Sequence, residues 1–516
     1  MKFINNFRIV PTLLLLTIYL FSFQPGSVQA VVGEVTPGAE TNMDKLPYTS
    51  PTTGNIIQAS ADFNDIQSKV NSAQPGDIIE VADGTISSSA SLQLSNNGTA
   101  SARIVVRAKN VNGVTISSCP ENCFNITGSY YSVEGFRFTN NNRFNVTISG
   151  GSAAYNAIYN NTFDKSGSGA DGSTSSIIKV FAPQDKVYLT HNIIVKNTFL
   201  QPKNPAVYDA GGAGGTVITH NIIRGPHGIN GGEREAFKNQ CCGSDPSGNY
   251  GLRIQFNSFY NWGTTQPYIA SFKRDGNYFA YNKIVSDASG DNKNLFSARS
   301  ANNKIAGNAM YGQSAMFEVY NGSDNLVIYN KLFSTGNTDC KAVMNAIGDG
   351  YYGSPSVNPY TKLTNSLITE NIFYLNSSSC SSGELIGNAA GTRTGPPTNN
   401  IFSNNVLAKD SSLSNWFGGD ILGNGNILRD NTISCLSCNL SQLSGVPTVG
   451  SNGNNVAQVT FSPTDYNQKV TFDSQYVAPY TPGVNPPSSA PTVNSFTTQS
   501  DTAHAQGTIL LTANVT

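Results

Sequence analysis

The chain is 516 residues long, and its 31 Lys and Arg against 32 Asp and Glu give a formal net charge of -1. That balance excludes a global positive field of the kind that draws a protein onto nucleic acid or an anionic membrane, and the length excludes a small scaffold that depends on staples. Only 12% of residues are charged while Gly alone numbers 49, a composition suited to many short turns rather than long solvated helices.

Residues 1–30 have the layout of a secretory signal peptide. Lys2 and Arg8 precede an apolar run from Val10 to about Phe23, and Val28-Gln29-Ala30 supplies the small-residue cleavage site. The run is short for a membrane span, and a single N-terminal anchor is the competing reading. Export implies a secreted, extracellular chain in which disulfides are permitted. Cys119 and Cys123 are close in sequence, as are Cys435 and Cys438, whereas Cys340 and Cys380 could be joined only by the fold.

An approach segment, 31–54, leads to the only clear helical pattern. Phe63, Ile66 and Val70 share one side of residues Phe63 to Ser72, Asp62 is placed to cap them, and Pro75-Gly76 stops the run. Short apolar strands then alternate with Asn and Gly turns. An Asn-centred phrase recurs, as in Thr219-His220-Asn221-Ile222-Ile223, Tyr281-Asn282-Lys283-Ile284 and Tyr329-Asn330-Lys331-Leu332. Taking Asn160, Asn192, Asn221, Asn257, Asn282, Asn308, Asn330, Asn371, Asn405 and Asn431 as anchors, the shortest interval is 22 residues and the longest 41. A fixed minimum with variable excess describes coils of three short strands whose extra residues leave as loops. The expected fold is all-β: a right-handed, single-stranded parallel β-helix, a solenoid whose N-terminal helix caps the open end. Its competitor, a β-sandwich with Asn-rich turns, explains alternation but not the recurring phrase. The catalytic domain is assigned to 55–475, a Pro/Ser-rich linker to 476–492, and the start of a further small domain or a tail to 493–516.

Unusual polar groups gather in residues 224–300. Lys273 and Arg299 are 26 residues apart, close to one coil, so the spacing predicts both on one outer face of adjacent coils. A neighbouring cation disfavours the protonated amine, which suits Lys273 to act as a base. A base beside a cation serves one reaction on acidic sugars. The hydrogen on C5 of a uronate lies alpha to the carboxylate, and it can leave once the charge growing there is neutralised. Loss of the oxygen on C4 then cuts the polymer and leaves a 4,5-unsaturated sugar. Asn230, Gln266 and Tyr268 are candidates to hold the carboxylate or a hydroxyl, and His227 with Tyr268 to relay a proton.

At these residues the chain resembles polysaccharide lyase family 6, the alginate lyase and chondroitinase B group. The resemblance spans about residues 55–460 and includes Gln74-Pro75-Gly76-Asp77 after the helix, Asn230-Gly231-Gly232-Glu233, and Lys273. It also includes Arg299 ahead of Asn302-Asn303-Lys304-Ile305-Ala306-Gly307-Asn308. It implies a parallel β-helix that cleaves alginate or dermatan sulfate by β-elimination, with Lys273 as base and Arg299 as catalytic arginine. Where the family has two glutamates that join the asparagine in binding calcium, this chain has Gln266 and Tyr268, and Ala236 replaces a further arginine. Lys238, Arg253 or Arg274 is expected to take over charge neutralisation, with no metal and no cofactor.

The expected partner is an acidic polysaccharide, alginate first and dermatan sulfate or another uronan second. Neither nucleic acid nor membrane is expected, and the protein is expected to be a monomer. Two other classes compete. A non-catalytic carbohydrate-binding solenoid would leave the polymer intact, and a glycoside hydrolase would need paired carboxylates from among Glu233, Glu235, Asp275 and Asp291.

Overall fold

Each short apolar run pairs in parallel with the equivalent run one coil on. This is seen in a computed structural model that describes residues 46–139, 144–166, 176–183, 188–202, 205–211, 213–224, 236–239, 251–260, 269–272, 274–286, 293–313, 315–335, 344–346, 363–376, 384–387, 397–409, 415–417, 421, 424–435, 455–456, 493–496 and 513–515. Among these residues the pairing builds three long sheets. The first runs from Asn55–Ala59 to Ile427–Arg429, the second from Gly84–Ser87 to Asn455–Val456, and the third from Leu92–Leu94 to Asn415–Phe417. The fold is a right-handed parallel β-helix. The signal peptide assigned to 1–30 and the linker assigned to 476–492 lie outside the described residues. Val493–Phe496 and Ala513–Val515 form an antiparallel pair in a sheet of their own. Among the described residues no helix is long and apolar enough to cross a membrane.

The helix occupies Phe63–Ser72, and its buried residues are Phe63, Ile66 and Val70. Asp62 Oδ1 accepts from the backbone N–H groups of Asn64 at 2.8 Å and Asp65 at 3.1 Å, satisfying donors that have no partner within the helix. Phe63 meets Phe124 edge to face, 5.9 Å between centroids, which closes the apolar end of the coils. Inside, Phe138, Phe163 and Phe199 stack at 4.8 and 5.0 Å. That is the strand spacing of about 4.8 Å, so each rung repeats the packing of the one before it.

Residues 46–50 of the approach segment lie against the outer face of the first sheet. Tyr48 Oη and Ser50 Oγ both donate to the Glu134 carboxylate, and the Tyr48 ring packs edge-on to Tyr159 at 5.2 Å. Burial first, and then the Glu134 charge, pushes the Tyr48 phenol well above its ordinary pKa. The sulfurs of Cys119 and Cys123 are bonded, with their Cα atoms 5.2 Å apart.

The corners carry two asparagine columns, not one. The column at the end of the first-sheet strands joins Asn161, Asn197, Asn221, Asn257 and Asn282 side chain to side chain, and continues through Asn308, Asn330, Asn371, Asn405 and Asn431. A second column stands five residues earlier in each coil, through Asn156, Asn192, Asn277, Asn303, Asn325, Asn400 and Asn426. Two sequence anchors are thereby corrected. Asn192 belongs to the second column, and Asn160 is the residue before Asn161, held at φ 55°. The phrase Thr190-His191-Asn192 looks like Thr219-His220-Asn221 because both corners make the same demand: a positive-φ residue, then a buried amide that bonds two coils at once.

Asn282 shows what a column member does. Its Oδ1 accepts from the backbone N–H and Nδ2 of Asn257, at 3.0 and 3.1 Å. Its Nδ2 donates to Ile254 O at 2.9 Å and Asn308 Oδ1 at 3.0 Å, and the residue has no solvent exposure. Asn282→Ala strands the Asn257 N–H and the Ile254 carbonyl, so a loss of about 3 kcal/mol is expected in denaturant unfolding. An unchanged unfolding midpoint would refute this account of the column.

Candidate active site

Lys273 follows the third-sheet strand Ala270–Phe272, and Arg299 ends the next strand of that sheet, Lys293–Arg299. Phe272 pairs in register with Ala298. The residues immediately before Lys273 and Arg299 are therefore neighbours on adjacent rungs. Lys273 itself lies outside the described residues, as do Asn230, Glu233, Gln266, Tyr268 and His227.

The turns that follow these two strands are fastened to each other. Asp275 Oδ1 accepts from the backbone N–H of Ala301 at 2.7 Å, and the Gly276 N–H donates to Ala301 O at 2.9 Å. Asn277 Nδ2 donates to Asn303 Oδ1 at 2.8 Å, and Asn303 Nδ2 donates to Ser300 O at 2.7 Å. Two residues past Lys273 is thus bound to two residues past Arg299. A carboxylate, an amide and the backbone together hold one rung against the next. Asp275 thus has a structural task in this clamp, one of its two carboxylate oxygens holding the Ala301 N–H.

On its other side the Arg299 strand meets Ala315–Asn321 with a register shift. Ala298 pairs with Val319 but Arg299 with Asn321, so Tyr320 is the extra residue of a bulge. Bulges re-aim the chain and are over-represented beside active sites. Gly322 follows at φ 93°, and an added Cβ there would run into the Ser300 carbonyl, so the tight approach of these turns requires glycine.

Of the residues expected to neutralise substrate charge, Arg274 is corrected. Its side chain is 6% exposed and lies 3.5 Å from the Asp209 carboxylate, and its guanidinium also donates to the carbonyls of Gly211 and Ala213. It is a buried tie within the wall, bound to Asp209, Gly211 and Ala213. Burial raises the Asp209 carboxyl to about 6, against the opposing pull of Arg274. Arg253 stands on the first sheet, where its strand Arg253–Gln255 pairs with Tyr278–Ala280. It is around the corner from the strands that carry Phe272 and Ala298. Burial first, and then the Arg253 charge, holds the Lys304 amine below its ordinary pKa, Lys304 standing two rungs on in the same row, beyond Tyr278. Lys238 is on the third sheet, level with Ser271, and its Nζ lies 4.9 Å from the centre of the Tyr208 ring. His191 stacks on Tyr155 at 5.2 Å and His220 on Phe256 at 5.3 Å, which places both in corner stacks.

The donor set that the family resemblance would assign to calcium does not fit that ion. Beside Asn230, the positions of the two glutamates hold Gln266 and Tyr268, neutral groups where a hard cation wants carboxylates. Among the described residues no group of three or more His, Cys, Asp or Glu is placed to hold a metal.

The geometry defines a parallel β-helix whose adjacent rungs are clamped together just past the Phe272–Ala298 pair, and solved structures of polysaccharide lyases share its fold. One is a mannuronic acid specific polysaccharide family 6 lyase from human gut microbiota, 16% identical with a TM-score of 0.57, covering 81% of this chain and 94% of that one. Another is a PL6 family polysaccharide lyase from Pseudopedobacter saltans, 14% identical with a TM-score of 0.52, covering 80% of this chain and all of that one. No protein-family model matches the chain, and no curated protein does. At such identities the likeness establishes the fold, and the chemistry must be argued from the residues.

Proposed function

We propose that the chain is a secreted, monomeric polysaccharide lyase that cleaves a uronate polymer, alginate first, by β-elimination. The observation that carries this reading is the pairing of Phe272 with Ala298, reinforced by the Asp275–Ala301 clamp, since it sets Lys273 and Arg299 just beyond neighbouring residues. Lys273, as the free amine, takes the C5 proton. Arg299 pairs with the uronate carboxylate as electrons from the broken C5–H bond move onto it. Those electrons then form the C4–C5 double bond, the C4–O bond breaks, and the departing oxygen takes a proton from Lys273 or from solvent. The products are one chain with an ordinary reducing end and one with a 4,5-unsaturated end.

Incubation with mannuronate-rich and guluronate-rich alginate blocks, dermatan sulfate and pectate tests this, with ultraviolet absorbance reporting the unsaturated end. Cleavage without absorbance would establish a hydrolase, and tight binding without cleavage a carbohydrate-binding solenoid. The neutral donor set at Asn230, Gln266 and Tyr268 further supports calcium independence. Activity is expected to persist in EDTA and to gain nothing from added calcium. Complete loss in EDTA with recovery on adding calcium would reverse that reading.

A further inference from the structure

The third sheet carries a second feature on the row that leads to Lys273. Strand Ile178–Ala182 alternates buried and accessible residues, with Ile178, Val180 and Ala182 inward and Lys179 and Phe181 outward. Phe181 is 36% exposed, unusual for so large an apolar side chain in a wall this well packed. Its place in the register is informative. Val180 pairs with Asp209, and Asp209 with Asn239. Lys238 pairs with Ser271, which brings Asn239 level with Phe272, and Phe272 pairs with Ala298. Phe181 therefore follows Val180 as Lys273 follows Phe272 and Arg299 follows Ala298. Phe181 thus stands three rungs before the residue that follows Phe272 in the chain, or about 14 Å along the axis at the usual strand spacing.

The surroundings of Phe181 have the chemistry of a sugar acid's complement. In the register the next rung sets the small residues Ala210 and Gly211 against Phe181 and Ala182. A Cβ added at Gly211, which sits at φ 67°, would collide first with the Ala182 carbonyl oxygen and would also come within 3.0 Å of Phe181 Cε2, so the glycine serves the backbone and leaves the ring edge uncrowded as well. Lys179 Nζ lies 5.2 Å from the centre of the Phe181 ring and 4.9 Å from that of Phe144. A uronate has an apolar C–H face and a carboxylate, and here an exposed aromatic ring stands with an ammonium group over it.

We propose that Phe181 and Lys179 form a distal uronate subsite, about three sugars from the bond that is cut, for a polymer lying along the solenoid axis. This rests on the lyase reading above and deepens it. The subsite rewards long substrates, because only an oligomer spanning these rungs reaches both it and Lys273.

The experiment compares a trisaccharide with long alginate chains as substrates of the full chain. For Phe181→Ala, the advantage of long chains over the trisaccharide in kcat/KM is expected to fall about tenfold, the worth of one aromatic contact. Lys179→Met should lower it in the same direction, and Phe181→Trp should restore it. An unchanged ratio, or equal losses on both substrates, overturns the subsite. The same substitution is also made in the Lys273→Ala background, where affinity for uncut alginate is measured by calorimetry. Weaker binding there supports the subsite even if the wild-type chain shows no turnover, and unchanged binding removes it while leaving the lyase reading intact.

Discussion

Lys273→Ala is expected to lower formation of unsaturated ends by a factor of about 10³, and Arg299→Ala by a similar factor, with no change in unfolding midpoint. General base catalysis is worth roughly 10² to 10⁴, and one preorganised group that neutralises developing charge roughly 10² to 10³. The two effects should not multiply. Without the base the carboxylate has no developing charge to neutralise, so the double variant is expected to fall little below the poorer single one. Stability is spared because the strand pairing of Phe272 with Ala298 and the Asp275–Ala301 clamp are backbone and turn contacts that neither substitution touches. Lys273→Arg discriminates further. It keeps a long hydrogen-bonding side chain but stays protonated and so cannot accept the C5 proton, which should leave it as inactive as the alanine variant while still binding polymer. Substantial activity in Lys273→Arg would remove the lysine from the role of base.

How much of this was legible in the sequence follows from how local each device is. The helix could be read because its cap and its apolar side fall within ten residues, Asp62 to Val70, and those residues answer to helix geometry alone. The coil could be read because every rung needs an amide at the same corner, so Asn221, Asn257 and Asn282 recur however long the loops between them. The second column escaped because Thr216, Leu252 and Ser366 interrupt it, and because its member Asn192 sits in a phrase that imitates the first. The site divides in the same way. Lys273 and Arg299 stood out as cations one coil apart. The Asp275 clamp joins residues 26 apart and the Arg274–Asp209 pair residues 65 apart, across intervals whose loops vary, so nothing in the local pattern names the partner. Phe181 did leave a trace, the alternation of Ile178-Lys179-Val180-Phe181-Ala182, but it lies outside the irregular region in which polar groups drew attention.

Arg274→Met should destabilise the fold by about 3–5 kcal/mol near neutrality, the cost of leaving a buried charge without its partner. The two side chains are 6% and 1% exposed, so water cannot take the place of the lost guanidinium. The loss should depend on pH in a direction set by Asp209. Burial raises that carboxyl from its ordinary 3.8 to about 6 in the wild-type fold, so the folded state holds the proton more tightly than the unfolded chain does. The group's contribution to stability is thus fully present below the unfolded value and is lost as pH rises through about 6. Removing Arg274 deletes the attraction that opposes burial and raises the carboxyl further, so the decline extends to higher pH. In mild acid Asp209 is neutral with or without its partner, and the difference between variant and wild type should shrink. What remains there is the share due to the unpaired carbonyls of Gly211 and Ala213. Adding Asp209→Asn to Arg274→Met should recover most of the loss near neutrality, because the buried charge is then gone. Thermal unfolding of the three proteins across this range decides the matter: a deficit of constant size at every pH would mean that Arg274 acts through its carbonyl contacts and packing, with the ion pair contributing nothing.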